Sequence, residues 1–162
     1  NDVRALTRTN AFQAAIETRL PVCLMHMQGN PQTMQKNPDY SAVYNEVLSF
    51  LLERARLCLD AGLNRAQILL DPGIGFGKNL EHNLELINNI DQIASHGFEV
   101  LIGASRKSMI GQVLNAEVQD RLYGTLGAHA AAFSKGASIF RVHDVKPHHD
   151  MLELMYRIKR EE

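Results

Sequence analysis

The sequence predicts an α/β protein built on a parallel sheet, and three observations carry that expectation. Short apolar runs alternate four times with stretches of helical period, the order expected of strands joined by helical crossovers. The short turns that antiparallel hairpins need are absent between those runs. Polar and charged residues collect where each apolar run ends, which is the end at which parallel sheets bind ligands. An open doubly wound sheet and a (β/α)8 barrel both satisfy these observations. A barrel takes about 250 residues and eight units, so four units in 162 residues amount to half of one.

The elements follow in order. Residues 10–20 place Phe12, Ile16 and Leu20 at helical spacing, with Thr9 or Asn10 as cap. Pro21 to Met27 reads as the first strand, and a polar loop from Gln28 to Asp39 contains Asn30-Pro31 and Asn37-Pro38. From about Tyr40 to Ala61 a stripe of Val43, Val47, Leu51, Ala55 and Cys58 predicts a helix closed by Gly62. Gln67–Leu70 is the second strand. Leu80 to Ser95 is the next helix, with Leu84, Ile87 and Ile90 on its apolar side and Gly97 at its end. Val100–Ala104 is the third strand. A short helix follows from Lys107, and a longer one runs from Val118 to Lys135 and ends at Gly136. Ser138–Val142 is the fourth strand, and Asp150 to Arg160 a last amphipathic helix.

Composition fits one ordinary domain over residues 1–162. An apolar content of 45% can bury a real core. A net charge of −1 gives no basic field for nucleic acid or an anionic membrane. The sequence contains neither an apolar run of membrane-spanning length nor a signal-like N-terminus. Cys23 and Cys58 fall inside apolar patterns and read as reduced packing residues of a cytoplasmic protein.

The stretch Ile68 to Lys78 is the most informative. An apolar run drives into Asp71, Pro72 ends the strand by removing a donor, and Gly73, Gly75 and Gly77 let the loop approach a ligand. A plain glycine-rich β-to-α turn would look the same. Two familiar phosphate motifs fail here. A P-loop would need glycine at position 72, so Lys78 is not its lysine, and the dinucleotide fingerprint breaks at Lys78. His26, His148 and His149 lack partners at metal-ligand spacing, and the cysteines are no zinc pair. Ser105-Arg106-Lys107-Ser108 opens a helix, whose free N–H groups attract a carboxylate or phosphate. Period-two geometry puts Arg141 and His143 on one strand face, where an anion would meet them unless they project into water and pair with acids such as Asp144.

Taken together, Leu24-Met25-His26-Met27-Gln28-Gly29-Asn30-Pro31, Asp71-Pro72-Gly73-Ile74-Gly75-Phe76-Gly77-Lys78, Ser105-Arg106-Lys107-Ser108 and Arg141-Val142-His143-Asp144 closely resemble the dihydropteroate synthase family. They do so in order, at that family's spacing, across essentially the whole chain. Asn1-Asp2-Val3-Arg4 resembles the end of its fourth strand. The resemblance implies a (β/α)8 barrel, here its C-terminal half from the end of strand 4 through helix 8. It implies an enzyme of folate synthesis that joins p-aminobenzoate to 6-hydroxymethyl-7,8-dihydropterin diphosphate, giving 7,8-dihydropteroate and pyrophosphate. Sulfonamides compete with p-aminobenzoate in this family.

Carried over residue by residue, the resemblance assigns Asp71 and Asn1 to the pterin's amino and ring N–H edge, and Met25 to its face. Gly103 lies in the same substrate site. Lys107 would hydrogen-bond the pterin ring; Phe76, Lys107 and Ser108 would form the p-aminobenzoate site. Arg141 and His143 would hold the diphosphate. Asp71, Lys107 and Arg141 would carry the catalytic burden, in a dissociative reaction that needs no nucleophilic residue. Mg²⁺ would accompany the diphosphate through a contact in the front half, so no metal ligand is expected in this chain. The first three strands and most of the fourth are missing, with their diphosphate-binding and pterin-binding loops. The chain is therefore expected to be a partial sequence, inactive alone and homodimeric when full length. A pterin-binding methyltransferase barrel, or a non-catalytic paralogue, are the alternatives.

Overall fold

The structure is a computed structural model that describes residues 1–29, 34 and 38–160. Most of the expected Gln28–Asp39 loop, including Asn30-Pro31 and Asn37, lies outside the described residues. The elements run α1 (Thr9–Thr18), β1 (Val22–Met25), α2 (Val43–Asp60), β2 (Ile68–Asp71), α3 (Leu80–Asn88), α4 (Ile90–Ala94), β3 (Glu99–Ile102), α5 (Ser108–Leu114), α6 (Leu122–Ser134), β4 (Ile139–Phe140) and α7 (Val145–Arg160). Single 3₁₀ turns precede β2 and α6, at Arg65–Gln67 and Val118–Asp120.

The four strands are parallel and lie side by side in chain order. A doubly wound sheet reverses its strand order at a switch point. An order that never reverses is that of a barrel wall, so the chain forms half of a (β/α)8 barrel. Asp2 extends this wall, pairing parallel with Leu24 beyond the outer edge of β1.

Strand alternation divides the residues between two faces. Leu24, Ile68, Leu70, Val100 and Ile102 are fully buried, together with the α2 stripe Val43, Val47, Leu51, Ala55 and Cys58 and with Leu86, Ile90 and Ile93. Each large aliphatic so buried contributes about 1.5–3 kcal/mol, which makes the strand–helix interface the core. On the other face Leu69 and Leu101 are only half-buried and Glu99 is exposed. Register continues that face upward, with Met25 beside Asp71 and Leu101 beside Ile139.

Several sequence expectations need correction. The helix expected over Leu80–Ser95 is two helices. Asn89 (φ −115°, ψ 23°) breaks it, and its side-chain amide caps the Glu85 carbonyl at 2.8 Å, the local competition that disfavours asparagine inside helices. Leu84, expected on the apolar side, is 45% exposed. Its place toward the core is taken by buried Asn83, whose side chain bonds the Gly75 N–H and the Lys78 and Asn79 carbonyls. Neither Thr9 nor Asn10 caps α1; Arg8 is the cap residue and makes no side-chain bond there. The last helix begins at Val145 rather than Asp150, because Pro147 falls in the first turn, where its missing N–H costs nothing. The fourth strand is only Ile139–Phe140, so His143 lies beyond the period-two argument made for it.

Candidate active site

Strand register brings the site together before any loop does. β2 ends on Asp71, opposite Met25 of β1. The Arg141 N–H bonds the Ile102 carbonyl at 3.0 Å, carrying Arg141 up beside Gly103. These residues, with Asn1, Val3, Ile74, Phe76 and Lys107, line one open cavity of about 240 Å³.

Asp71 is 4% exposed and accepts two hydrogen bonds, from Asn1 Nδ2 at 3.0 Å and from the Gly73 N–H at 2.8 Å. Burial pushes its pKa up; those bonds and the charges of Lys78 and Lys107 oppose the rise. The loop beyond it needs its glycines. At Gly73 (φ +71°) a Cβ would stand 1.9 Å from the His26 carbonyl oxygen, and at Gly75 (φ +78°) 2.9 Å from Lys107 Cδ. The Lys107 ammonium sits 4.1 Å from the centre of the Phe76 ring, a cation–π contact. Burial lowers its pKa, Asp71 raises it, and Arg141 lowers it further. Phe76 and Lys107 thus form an aromatic, cationic wall facing the Asp71 carboxyl.

Arg141 brings a second positive charge, beside Lys107, to the cavity lining. Asp144, the acid that sequence reasoning offered to Arg141 and His143, is taken by Arg106 in a two-point ion pair at 2.6 and 3.0 Å. The bond from Arg106 holds the Asp144 carboxyl below its usual range. His143 instead pairs with Ser105, Nδ1 lying 2.8 Å from Oγ. Among the described residues the Arg141 guanidinium meets no carboxylate. Ser108 is exposed and lines a neighbouring hollow with Lys78, Asn83 and Gln112, not the cavity of Asp71 and Phe76. His143 also stays outside that cavity's lining.

Sequence reasoning set Lys78 aside, yet it is a buried strut of the site. It is 3% exposed and donates to the Phe76 carbonyl at 3.0 Å, with His26 Nδ1 also at 3.0 Å. Burial lowers its pKa to about 7, and burial with Lys78 alongside lowers His26 to about 3. The His26 N–H bonds the Asp71 carbonyl at 3.0 Å, so Lys78 ties the glycine loop to β1 directly beneath Asp71. Nothing in its local sequence distinguishes it from a solvated loop lysine.

Comparison with known proteins adds an independent line. The model of the family described as pterin binding enzyme matches residues 1–143. The chain is 47% identical over 154 residues to a dihydropteroate synthase of Haemophilus influenzae, covering 95% of this chain and 56% of that protein. It is 50% identical over 146 residues to the dihydropteroate synthase of Escherichia coli K12, covering 90% of this chain and 52% of that protein. A Yersinia pestis dihydropteroate synthase solved in complex with a sulfonamide drug superposes at a TM-score of 0.95 with 40% identity. That match covers 100% of this chain and 59% of the other. The chain thus spans about half the length of the relatives it matches.

Proposed function

The chain belongs to the pterin binding enzyme family, and we propose that it is the C-terminal half of a dihydropteroate synthase barrel. One observation carries the reading: a single cavity gathers Asn1, Met25, Asp71, Phe76, Gly103, Lys107 and Arg141 from distant parts of the chain. The buried Asp71 carboxyl, apolar Met25 and Ile74, and the cations Lys107 and Arg141 suit the three parts of a pterin diphosphate.

In this mechanism the 2-amino and adjacent ring N–H groups of the pterin donate to the Asp71 carboxylate, with Asn1 Nδ2 holding that carboxylate in place. Met25 packs on the ring face and Lys107 hydrogen-bonds the ring. Arg141 and His143 bind the diphosphate, and the Arg141 charge stabilises it as the bond from the pterin methylene carbon to oxygen breaks. The p-aminobenzoate nitrogen, aligned along Phe76 and Lys107, then forms the new bond to that carbon and loses a proton to solvent. Ser108 binds the benzoate carboxylate from the neighbouring hollow.

Mg²⁺ is implied by the reaction class. The anion end of this chain offers Arg141, His143 and Ser105, a set that fits an anion and not a divalent cation. Among the described residues no three His, Cys, Asp or Glu converge. Mg²⁺ would accompany the diphosphate and neutralise part of its charge. Among the described residues no helix is long and apolar enough to cross a membrane; we place the enzyme in the cytoplasm, as a homodimer when full length.

Calorimetry on the product of the complete reading frame tests this reading. p-Aminobenzoate should bind only when pyrophosphate is present. Tight binding without pyrophosphate, or none with it, would contradict the assignment.

A further inference from the structure

Lys107 enters the substrate cavity from a turn whose shape its own sequence does not favour. The Lys107 N–H bonds the Ala104 carbonyl at 3.1 Å, closing a turn over Ser105 and Arg106. Arg106 has φ +56° there, a left-handed conformation that favours glycine. Among the described non-glycine residues with a positive φ, it alone adjoins a residue of the cavity lining. The turn sends two successive cations to different places. Arg106 reaches Asp144, while Lys107 faces the Phe76 ring.

A strained backbone persists where its surroundings over-determine it, and here both backbone polar groups of Arg106 are held from outside the turn. Its N–H donates to Thr125 Oγ1 at 3.0 Å, and its carbonyl accepts from Arg121 Nη1 at 3.1 Å. Thr125 is 0% exposed, and its hydroxyl donates to the Arg121 carbonyl at 2.7 Å, which leaves the Oγ1 lone pairs to accept. Arg121 is fixed by a further bond, from Nε to the Ala116 carbonyl at 3.0 Å. Its guanidinium lies against Gly111 of α5, where an added Cβ would stand 2.3 Å from Nη2. Thr125, Arg121 and Gly111 take no part in the mechanism above.

We propose that Thr125 and Arg121 are positioning residues that hold Arg106 left-handed and thereby aim Lys107 at Phe76 and the cavity. The polarity of the clamp is fixed, because an amide N–H and a guanidinium can only donate. Without the Thr125 oxygen the Arg106 N–H loses its acceptor, and the turn relaxes toward a negative φ. Lys107, the next residue, then swings away from the Phe76 ring. The effect on catalysis rests on the synthase reading; the clamp itself does not.

Two measurements on the product of the complete reading frame test the proposal separately from that reading. In NMR of ¹³C-labelled lysine, the Phe76 ring should shift the Lys107 Cε protons upfield. Thr125→Val, which keeps the shape and removes the acceptor, should abolish most of that shift. Thr125→Ser, which keeps the Oγ, should retain it. Gly111→Ala, which drives the guanidinium off the Arg106 carbonyl, should reduce it as Thr125→Val does. A Lys107 signal unchanged in Thr125→Val (or in Gly111→Ala, should Thr125→Val not fold), or lost equally in Thr125→Ser, would overturn the positioning role. In turnover, Thr125→Val should raise the KM for p-aminobenzoate about tenfold, a modest share of what misplacement can cost, with a smaller change in kcat. Thr125→Ser should stay near wild type. Equal KM values for wild type and Thr125→Val would overturn the catalytic consequence. If the wild type makes no dihydropteroate, the synthase reading fails while the NMR result still decides the clamp.

Discussion

Asp71 and Lys78 divide the work of one loop. Asp71→Asn keeps the shape but replaces one acceptor oxygen with a donor that opposes the pterin's N–H groups. It should cost about 3 kcal/mol of transition-state stabilisation, read as roughly a hundredfold fall in kcat/KM. Lys78→Met should leave the cavity lining intact yet loosen the glycine loop from His26, so KM rises for both substrates. The buried histidines set the acid limit. His26 and His129 have folded pKa values near 3 and 4, below the 6.5 of an unfolded histidine. The unfolded chain therefore binds more protons in between, and stability present above pH 6.5 is lost as pH falls toward 4. At pH 4.5 each histidine should cost about 2 to 3 kcal/mol relative to pH 7, read as a lower urea midpoint. Asp71, Phe76, Lys107 and Arg141 were legible because strand-end chemistry and motif spacing are local. Lys78 and buried His129 were not, because the partners they meet, His26 and Ala104, are 52 and 25 residues away and nothing beside them in sequence signals burial.

Elements whose faces are uniformly apolar could be read from sequence, and those with a polar residue turned inward could not. α2 matches its expected stripe residue for residue. The Leu80–Ala94 segment was misread because Asn83 occupies a core position to serve the Gly75 loop, and because Asn89 caps its own helix. β4 was overestimated because strand length depends on the neighbour's register, which pairs only Ile139 and Phe140. The glycine loop allows a graded test. Gly73→Ala would drive a Cβ into the His26 carbonyl, whereas Gly75→Ala meets the flexible Lys107 stem. Gly73→Ala should lower Tm far more than Gly75→Ala. Gly75→Ala should also act on p-aminobenzoate, through displaced Lys107, as a raised KM, with a smaller Tm loss set by its left-handed backbone (φ +78°).

As a whole the molecule is a wall with one finished face. The helices seal Leu24, Leu70, Val100 and Ile102, while Leu69 and Leu101 on the opposite face stay half-buried. Leu154 and Ile158 of α7 are exposed. An unpaired sheet edge beside apolar surface favours association. The 162-residue chain expressed alone should run as an aggregate or oligomer on gel filtration and show no turnover; a monomer active at the rate of the complete product would refute this. The barrel itself was legible only through the resemblance, since periodicity cannot distinguish an open sheet from a closed one. The unreversed strand order makes that distinction. The most direct test is formation of 7,8-dihydropteroate by the complete product from p-aminobenzoate and the pterin diphosphate, for wild type and Asp71→Asn. We expect stoichiometric pyrophosphate release by the wild type and roughly a hundredfold loss in the variant. Wild-type protein that binds the pterin yet releases no pyrophosphate, or an Asp71→Asn variant as active as wild type, would contradict the assignment of this cavity.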